Sequence, residues 1–272
     1  MTIGTTYAEF LDKGTDKLQA AGITSARLDI LILLEDVVGT DRAHILAHPD
    51  ALIKRADIAK LNNFITQRLE HVPLAYIRGQ APFFGRSFAV TSATLVPRPE
   101  TESMITLLLE IPFTAPPRIA DIGTGSGCLG ITAGLELPGA KIFMYDTSKA
   151  ALQVAASNAQ RHKLGVHLRL QDLLADDPEH YDVLLANLPY VPTNYPINQA
   201  AGHEPPEALF SGADGLDHYV RFWRQLKTAE NRPQHVITES LPTQHPALAH
   251  LARAAGYAQE KSAGYAQYFT AL

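Results

Sequence analysis

Three glycines at alternate positions, Gly123, Gly125 and Gly127, separate the run Arg118-Ile119-Ala120-Asp121-Ile122 from the apolar stretch Cys128 to Leu137. An apolar run of strand length, then glycines, then a helical pattern reads as a strand–turn–helix unit. The alternation continues. Lys141 to Tyr145 forms a second strand ending in Asp146, and Ser148 caps a helix to His162. Val166 to Leu170 is a third strand, ending at Gln171-Asp172, and Tyr181 to Ala186 is a fourth. Strands separated by helices imply βαβ units and a parallel sheet. Ligands of open α/β sheets bind beyond the carboxyl ends of the strands. The residues that follow each strand are therefore the first candidates for a site.

After the first strand, Gly123-Thr124-Gly125-Ser126-Gly127 permits positive φ and close approach of a ligand to the backbone. It opens a helix, so free N–H groups are expected there. The spacing differs from the Gly-x-Gly-x-x-Gly of dinucleotide sites. Asp121, just before the loop, could receive an ammonium. A pyrophosphate would disfavour that carboxylate, whereas an amino-acid-bearing cofactor such as S-adenosylmethionine would use it. Asp146 stands where an acidic residue grips ribose hydroxyls, about 20 residues after the glycines. Asp172 can accept from an adenine amino group, and Leu173 can pack on the ring. After the fourth strand, Asn187-Leu188-Pro189-Tyr190 delivers an amide oxygen, a backbone carbonyl beside a proline and an aromatic ring. The Asn187 oxygen and the Leu188 carbonyl can both accept from one NH2 group, and Tyr190 can stack on it. A tight turn, a loop carboxylate and a proline-terminated strand remain the bland readings of these segments.

Residues 1–72 read as helical, with caps expected at Thr5 or Thr6, Ser25 and Asp41 and a stop at Gly39. Residues 73–98 carry aromatic and β-branched residues punctuated by glycine, which suggests a hairpin linker. Val96-Pro97-Arg98-Pro99-Glu100-Thr101-Glu102 then enters a helix, either as a rigid cap or as a lid over a cofactor. Beyond the fourth strand come a proline-rich loop to Gly215, a helix from Leu216, a strand from His235 to Glu239, a helix from Gln244 and an aromatic hairpin. Cys128 is the only cysteine of the 272 residues, which excludes an internal disulfide framework and fits a reducing, cytoplasmic setting. At a helix N-terminus its thiol pKa could fall, but a small buried residue is the expectation. The 11 histidines show no metal-ligand spacing, and no metal is expected. No apolar run approaches the ~18 residues of a membrane span, and no signal peptide is evident. A formal charge of -5 argues against a large basic surface for duplex nucleic acid.

With these residues placed, the chain resembles the HemK/PrmC family of release factor glutamine methyltransferases. Pro73-Leu74-Ala75-Tyr76-Ile77-Arg78-Gly79 is similar to the family's Pro-Leu-x-Tyr-Ile-x-Gly, and Val96 to Glu102 to its Ile-Pro-Arg-Pro-Glu-Thr-Glu. Asp121 to Gly127 matches its cofactor loop. Glu204-Pro205, Ala208-Leu209 and Asp214-Gly215-Leu216-Asp217 match its loop after the fourth strand. The resemblance implies an α/β fold: a small all-helical N-terminal domain, a β-hairpin linker, and a Rossmann-like class I methyltransferase domain over residues 99–272 with a mostly parallel seven-stranded sheet. It implies that the glutamine of the Gly-Gly-Gln motif of peptide chain release factors is methylated on its side-chain amide. The implied cofactor is S-adenosyl-L-methionine, held by Gly123 to Gly127, Asp146, Leu173 and Asn187, with the glutamine held by Asn187 to Tyr190. A monomer whose partners are release factors, with no membrane and no direct nucleic acid, is the corresponding expectation.

Three departures from the family pattern stand out. Leu188 replaces the first proline of Asn-Pro-Pro-Tyr, which implies a less rigid loop. Glu239-Ser240-Leu241-Pro242 lacks the usual glycine after the acid, and Gly264-Tyr265-Ala266-Gln267 lacks the usual arginine. The residues alone also admit a nucleic-acid amino-methyltransferase and a non-catalytic S-adenosylmethionine-binding protein.

Overall fold

A computed structural model describes residues 4–174 and 179–272. The chain divides into two compact units. One runs up to Gly79 and includes Asn198–His203; the other comprises Gln80–Ile197 and Glu204–Leu272.

The first unit is a bundle of α1 (Tyr7–Ala20), α2 (Ala26–Val38), α3 (Arg42–Ala47), α4 (Arg55–Leu69) and the short α5 (Leu74–Arg78). Two of the expected caps form: Thr6 Oγ1 accepts from Glu9 N, and Asp41 Oδ1 accepts from His44 N. Ser25 flanks α2 but makes no side-chain cap bond, while Gly39 ends α2 at φ 74°. Ile30, Leu33 and Leu34 of α2 are fully buried, so this helix forms the centre of the bundle. It also carries Asp29, which is buried and receives Arg68 of α4 at 2.8 Å. Removing one partner of such a pair strands a charge in an apolar interior. Residues 74–78 correct the hairpin reading of this stretch. Ile77 turns into the helical core, and Gly79 closes the helix in the left-handed region at φ 70°. Burial of Ile77 outweighs the strand preference of Tyr76 and of Ile77 itself.

The second unit opens with the expected hairpin, β1 (Gln80–Phe83) and β2 (Arg86–Ala89). Then follow α6 (Glu102–Leu109), β3 (Arg118–Ile122), α7 (Cys128–Glu136), β4 (Lys141–Asp146), α8 (Lys149–Arg161) and β5 (Val166–Leu170). The remainder is β6 (Val183–Ala186), α9 (Asp217–Thr228), β7 (His235–Glu239), α10 (His245–Ala254), β8 (Tyr257–Ala263) and β9 (Ala266–Ala271). Seven strands form one sheet in the order β5-β4-β3-β6-β7-β9-β8. All pairings from β5 to β7 are parallel, and β9 is antiparallel to both neighbours.

Both faces of the sheet are covered, which is why its central strands read as unbroken apolar runs. Alternation sends Ile119, Met144, Leu185 and Ile237 into the core with α6, α7 and α8. It sends Ala120, Phe143, Leu184 and Val236 into the core with α9 and α10. Strand order reverses between β3 and β6, and that switch point leaves a crevice at the carboxyl edge. The ends of β5, β4, β3, β6 and β7 lie side by side along this edge. Their next residues therefore form one row.

Candidate active site

The crevice is a cavity lined by Asp121 of β3, by Gly123, Thr124, Gly125 and Ser126 after it, and by Asp146 at the end of β4. Asp172 and Leu173 after β5, and Asn187, Leu188 and Pro189 after β6, also line it. Two expected residues stand outside this lining. Gly127 turns away: at φ 80° it starts α7, and a Cβ there would lie 3.0 Å from Ile131 and 3.2 Å from Ala155. Its role is close packing of α7 on α8. Tyr190 points its hydroxyl at Glu239 Oε1, 2.9 Å away.

The glycine loop is held from within. Gly123 N and Thr124 N both donate to Tyr145 O, Gly125 N to Asp146 Oδ2 and Gly127 N to Thr124 O. The expectation of free N–H groups is corrected at these four positions: the backbone of β4, the Asp146 carboxylate and the loop's own Thr124 carbonyl consume them. An anion is therefore poorly served here. A cation is well served, because Asp121, Asp146, Asp172 and Glu207 all line the cavity.

Asp121 is buried, and Oδ2 takes both of its bonds, from Thr124 Oγ1 at 2.5 Å and Gly130 N at 2.9 Å. Burial pushes its carboxyl up to about 6, against those two bonds. Gly130 belongs to the same design, since a Cβ there would meet Asp121 Oδ2 at 2.9 Å. Asp146 accepts Gly125 N and Ser148 N, both at 2.8 Å, and burial also raises its pKa. Asp172 pairs with Arg221 of α9. Leu173 is buried at φ 54°, in a turn fixed by Gln171 Nε2 on its carbonyl.

The acceptor side is fastened by residues remote in sequence. Asn187 Nδ2 donates to Thr101 Oγ1 at 3.2 Å. Leu188 N donates to the Tyr219 hydroxyl at 3.4 Å, and that hydroxyl lies 2.9 Å from Ala186 O and 2.5 Å from Glu239 O. A proline at 188 would lack this N–H. The Leu188 side chain is buried, with Cδ2 3.3 Å from where a Cβ on Gly123 would stand. The rigidity a proline ring would give is replaced by packing and one hydrogen bond. Gln244 Nε2 holds Tyr190 O at 2.8 Å, and Gly215 (φ 82°) is required because a Cβ would come within 2.1 Å of that oxygen.

Arg98 and Thr101, in the segment read as a cap or lid, also line the cavity. Arg98 is anchored by the buried Glu204, whose Oε2 accepts Val96 N at 2.9 Å and whose Oε1 takes Arg98 Nη2 at 2.5 Å. The Val96-Pro97-Arg98 run and Glu204-Pro205 are thus two halves of one clamp. Sequence reasoning did not single out Thr101, Tyr219, Gln244 or His218 for the site. Tyr219 carried an amphipathic signal that belongs to the core, and no local signal distinguished the others. The thiol of Cys128 is buried, which pushes it up to about 12 instead of down.

Comparison with known proteins bears on the family and the fold. Residues 9–79 match the family described as PrmC N-terminal domain, and residues 102–204 match the Methyltransferase small domain. The release factor glutamine methyltransferase of Cereibacter sphaeroides is 37% identical over 260 residues, covering 93% of this chain and 91% of the relative. That of Koribacter versatilis is 34% identical over 232 residues, covering 82% and 83%. Among solved structures, the hMettl16 catalytic domain aligns with a TM-score of 0.54 at 14% identity, covering 79% of each chain. A methyltransferase from Pyrococcus furiosus aligns at 0.50 and 16% identity, covering 69% of this chain and 88% of that one. These two share the fold of the sheet unit. Identity above 30% along nearly the whole length decides the family: the chain belongs to the release factor glutamine methyltransferases.

Proposed function

We propose that the chain methylates the side-chain amide nitrogen of the Gly-Gly-Gln glutamine of peptide chain release factors, with S-adenosylmethionine as donor. The names of its relatives support the substrate class. The observation that carries the reading is the Asn187 amide. Its nitrogen is engaged by Thr101, which leaves Oδ1 as the end available to an NH2 donor in the cavity.

The cavity fits the cofactor chemically. Its carboxylates suit a ligand bearing an ammonium and a sulfonium, and the Oδ1 atom of Asp121 receives no hydrogen bond among the described residues. In this reading Asp121 receives the ammonium, Asp146 the ribose hydroxyls, and Leu173 packs against the base. Gly123 to Gly127 shape the loop, with Asp172 at the rim. When bound there, S-adenosylmethionine supplies an electrophilic methyl group. The protein's own task is orientation. A glutamine amide is a weak nucleophile because its lone pair is delocalised. Asn187 Oδ1 and the Leu188 carbonyl would accept its two N–H bonds, hold its nitrogen in line and favour the positive charge that grows on it. With the amide held this way its nitrogen would be presented to the methyl group that the cofactor supplies, and the surplus proton on that nitrogen would leave to solvent. Pro189 fixes the path of the loop, and Tyr190 braces it. The helical residues 1–72 are assigned to docking the release factor, with 73–98 as the connection and 99–272 as the catalytic domain.

The test is labelled-methyl incorporation into a release factor with Gly-Gly-Gln intact and with its glutamine changed to alanine. Label is expected only in the first. Equal labelling of both would sink the substrate assignment.

A further inference from the structure

The hydroxyl of Tyr219 takes the place of a rung in the sheet. β6 and β7 run parallel, in register up to Ala186 opposite Thr238. His235 N donates to Asp182 O, and the bonds of a parallel pair recur at every second residue. Continued past the strand ends, that series would join Leu188 N to Glu239 O. Leu188 N donates instead to the Tyr219 hydroxyl at 3.4 Å, and that oxygen lies 2.5 Å from Glu239 O. A side-chain oxygen is thus spliced between the two backbones. It also receives Glu239 N at 3.3 Å and lies 2.9 Å from Ala186 O.

A hydroxyl donates once and accepts twice. This one has two N–H groups and two carbonyls around it, all of the backbone. Tyr219 is fully buried, and its ring shares the core with Phe222 and Trp223 of α9. A phenylalanine ring would fill the same space. A buried hydroxyl costs free energy unless it is bonded, so the reason for this oxygen lies in what it holds. Its partners on the β6 side are Ala186 and Leu188, the two chain neighbours of Asn187. We infer that Tyr219 is a positioning residue: its hydroxyl keeps the ends of β6 and β7 one oxygen apart and fixes the backbone on both sides of Asn187, which holds the aim of the acceptor-binding amide. Asp121 and Asp146 stand on β3 and β4 and are not held by it. The inference rests on the methyl-transfer reading above.

Tyr219→Phe removes the oxygen and keeps the ring. It is expected to lower kcat on a release factor at least about tenfold, the cost of leaving a buried N–H unpaired beside the site. Affinity for S-adenosylmethionine, read by titration calorimetry, should stay within about twofold, as for independent sites. In an Asn187→Ala background the same change should cost no more than about threefold, because an amide already removed cannot be misaimed. A role in packing alone predicts the same fold loss in both backgrounds. That result, a loss of affinity as large as the loss of kcat, or full kcat in Tyr219→Phe overturns the inference. Amide hydrogen exchange on the unaltered chain covers the case in which Tyr219→Phe does not fold. The Leu188 N–H lies beyond the strand, yet should exchange as slowly as that of Leu184 within it. Exchange at the rate of the exposed Asn194 overturns the inference as well. A wild-type protein that labels no release factor overturns the functional reading and this inference with it, whereas labelling by wild type with full kcat in Tyr219→Phe overturns the inference alone.

Discussion

Asn187→Ala is expected to lower kcat for glutamine methylation by about 10²- to 10³-fold, the usual cost of deleting one preorganised group aimed at charge that develops in the transition state. The loss belongs in kcat because the bond to the acceptor strengthens only as its nitrogen becomes positive. Stability should change little. Asn187 is half-buried, and its bond to Thr101 is a neutral one of 3.2 Å. Losing such a bond costs on the order of 1 kcal/mol. Single-turnover methyl transfer and thermal melting of the same preparation separate the two quantities. A variant that melts normally and retains wild-type turnover would remove Asn187 from the chemistry.

Asp121→Asn is expected to weaken S-adenosylmethionine binding roughly ten- to hundred-fold, the worth of a hydrogen bond to a charged group. It also carries a pH signature. Burial raises the Asp121 carboxyl to about 6. A bound ammonium favours the ionised form, so wild-type affinity falls as pH drops through about 6. The Asp121→Asn variant should lack that component, whereas the contribution of Asp146 stays. The same shift acts on stability with the opposite sign. A folded-state pKa above the unfolded value stabilises the fold at low pH, and that contribution is lost as pH rises through about 6. At pH 8 the free variant should therefore melt no lower than wild type, with a gain of up to about 3 kcal/mol. Titration calorimetry from pH 5 to pH 8 (roughly one decade of affinity per unit while Asp121 alone titrates) checks the first effect. Melting without cofactor checks the second. Unchanged affinity in the variant would refute the ammonium assignment.

The sheet was legible because its signals are local. Apolar runs such as Val183–Ala186 are what a strand covered on both faces requires, and Gly123, Gly125 and Gly127 take positive φ as their spacing suggests. The acidic row after successive strands was legible for the same reason. What escaped was set by long-range contact. Residues 74–78 became a helix because Ile77 found a place in the bundle core. Two of the loop N–H groups were consumed by Tyr145 O, an atom on the neighbouring strand. Thr101 and Asn187 are 86 positions apart, and Tyr190 and Glu239 are 49 apart. No periodicity or motif pairs residues at such distances. The pairing of β6 with β7 sets their ends side by side, and Gln244 on Tyr190 O helps to hold the loop that carries Tyr190.

The lone cysteine has a practical consequence for anyone handling the molecule. With its thiol pushed up to about 12 by burial, Cys128 holds almost no thiolate at neutral pH. Maleimides, iodoacetamide and peroxide all need that anion and access to it. The native chain is therefore a nearly silent background: a cysteine introduced on an exposed helix could carry a fluorophore or spin label without stripping the natural one out first.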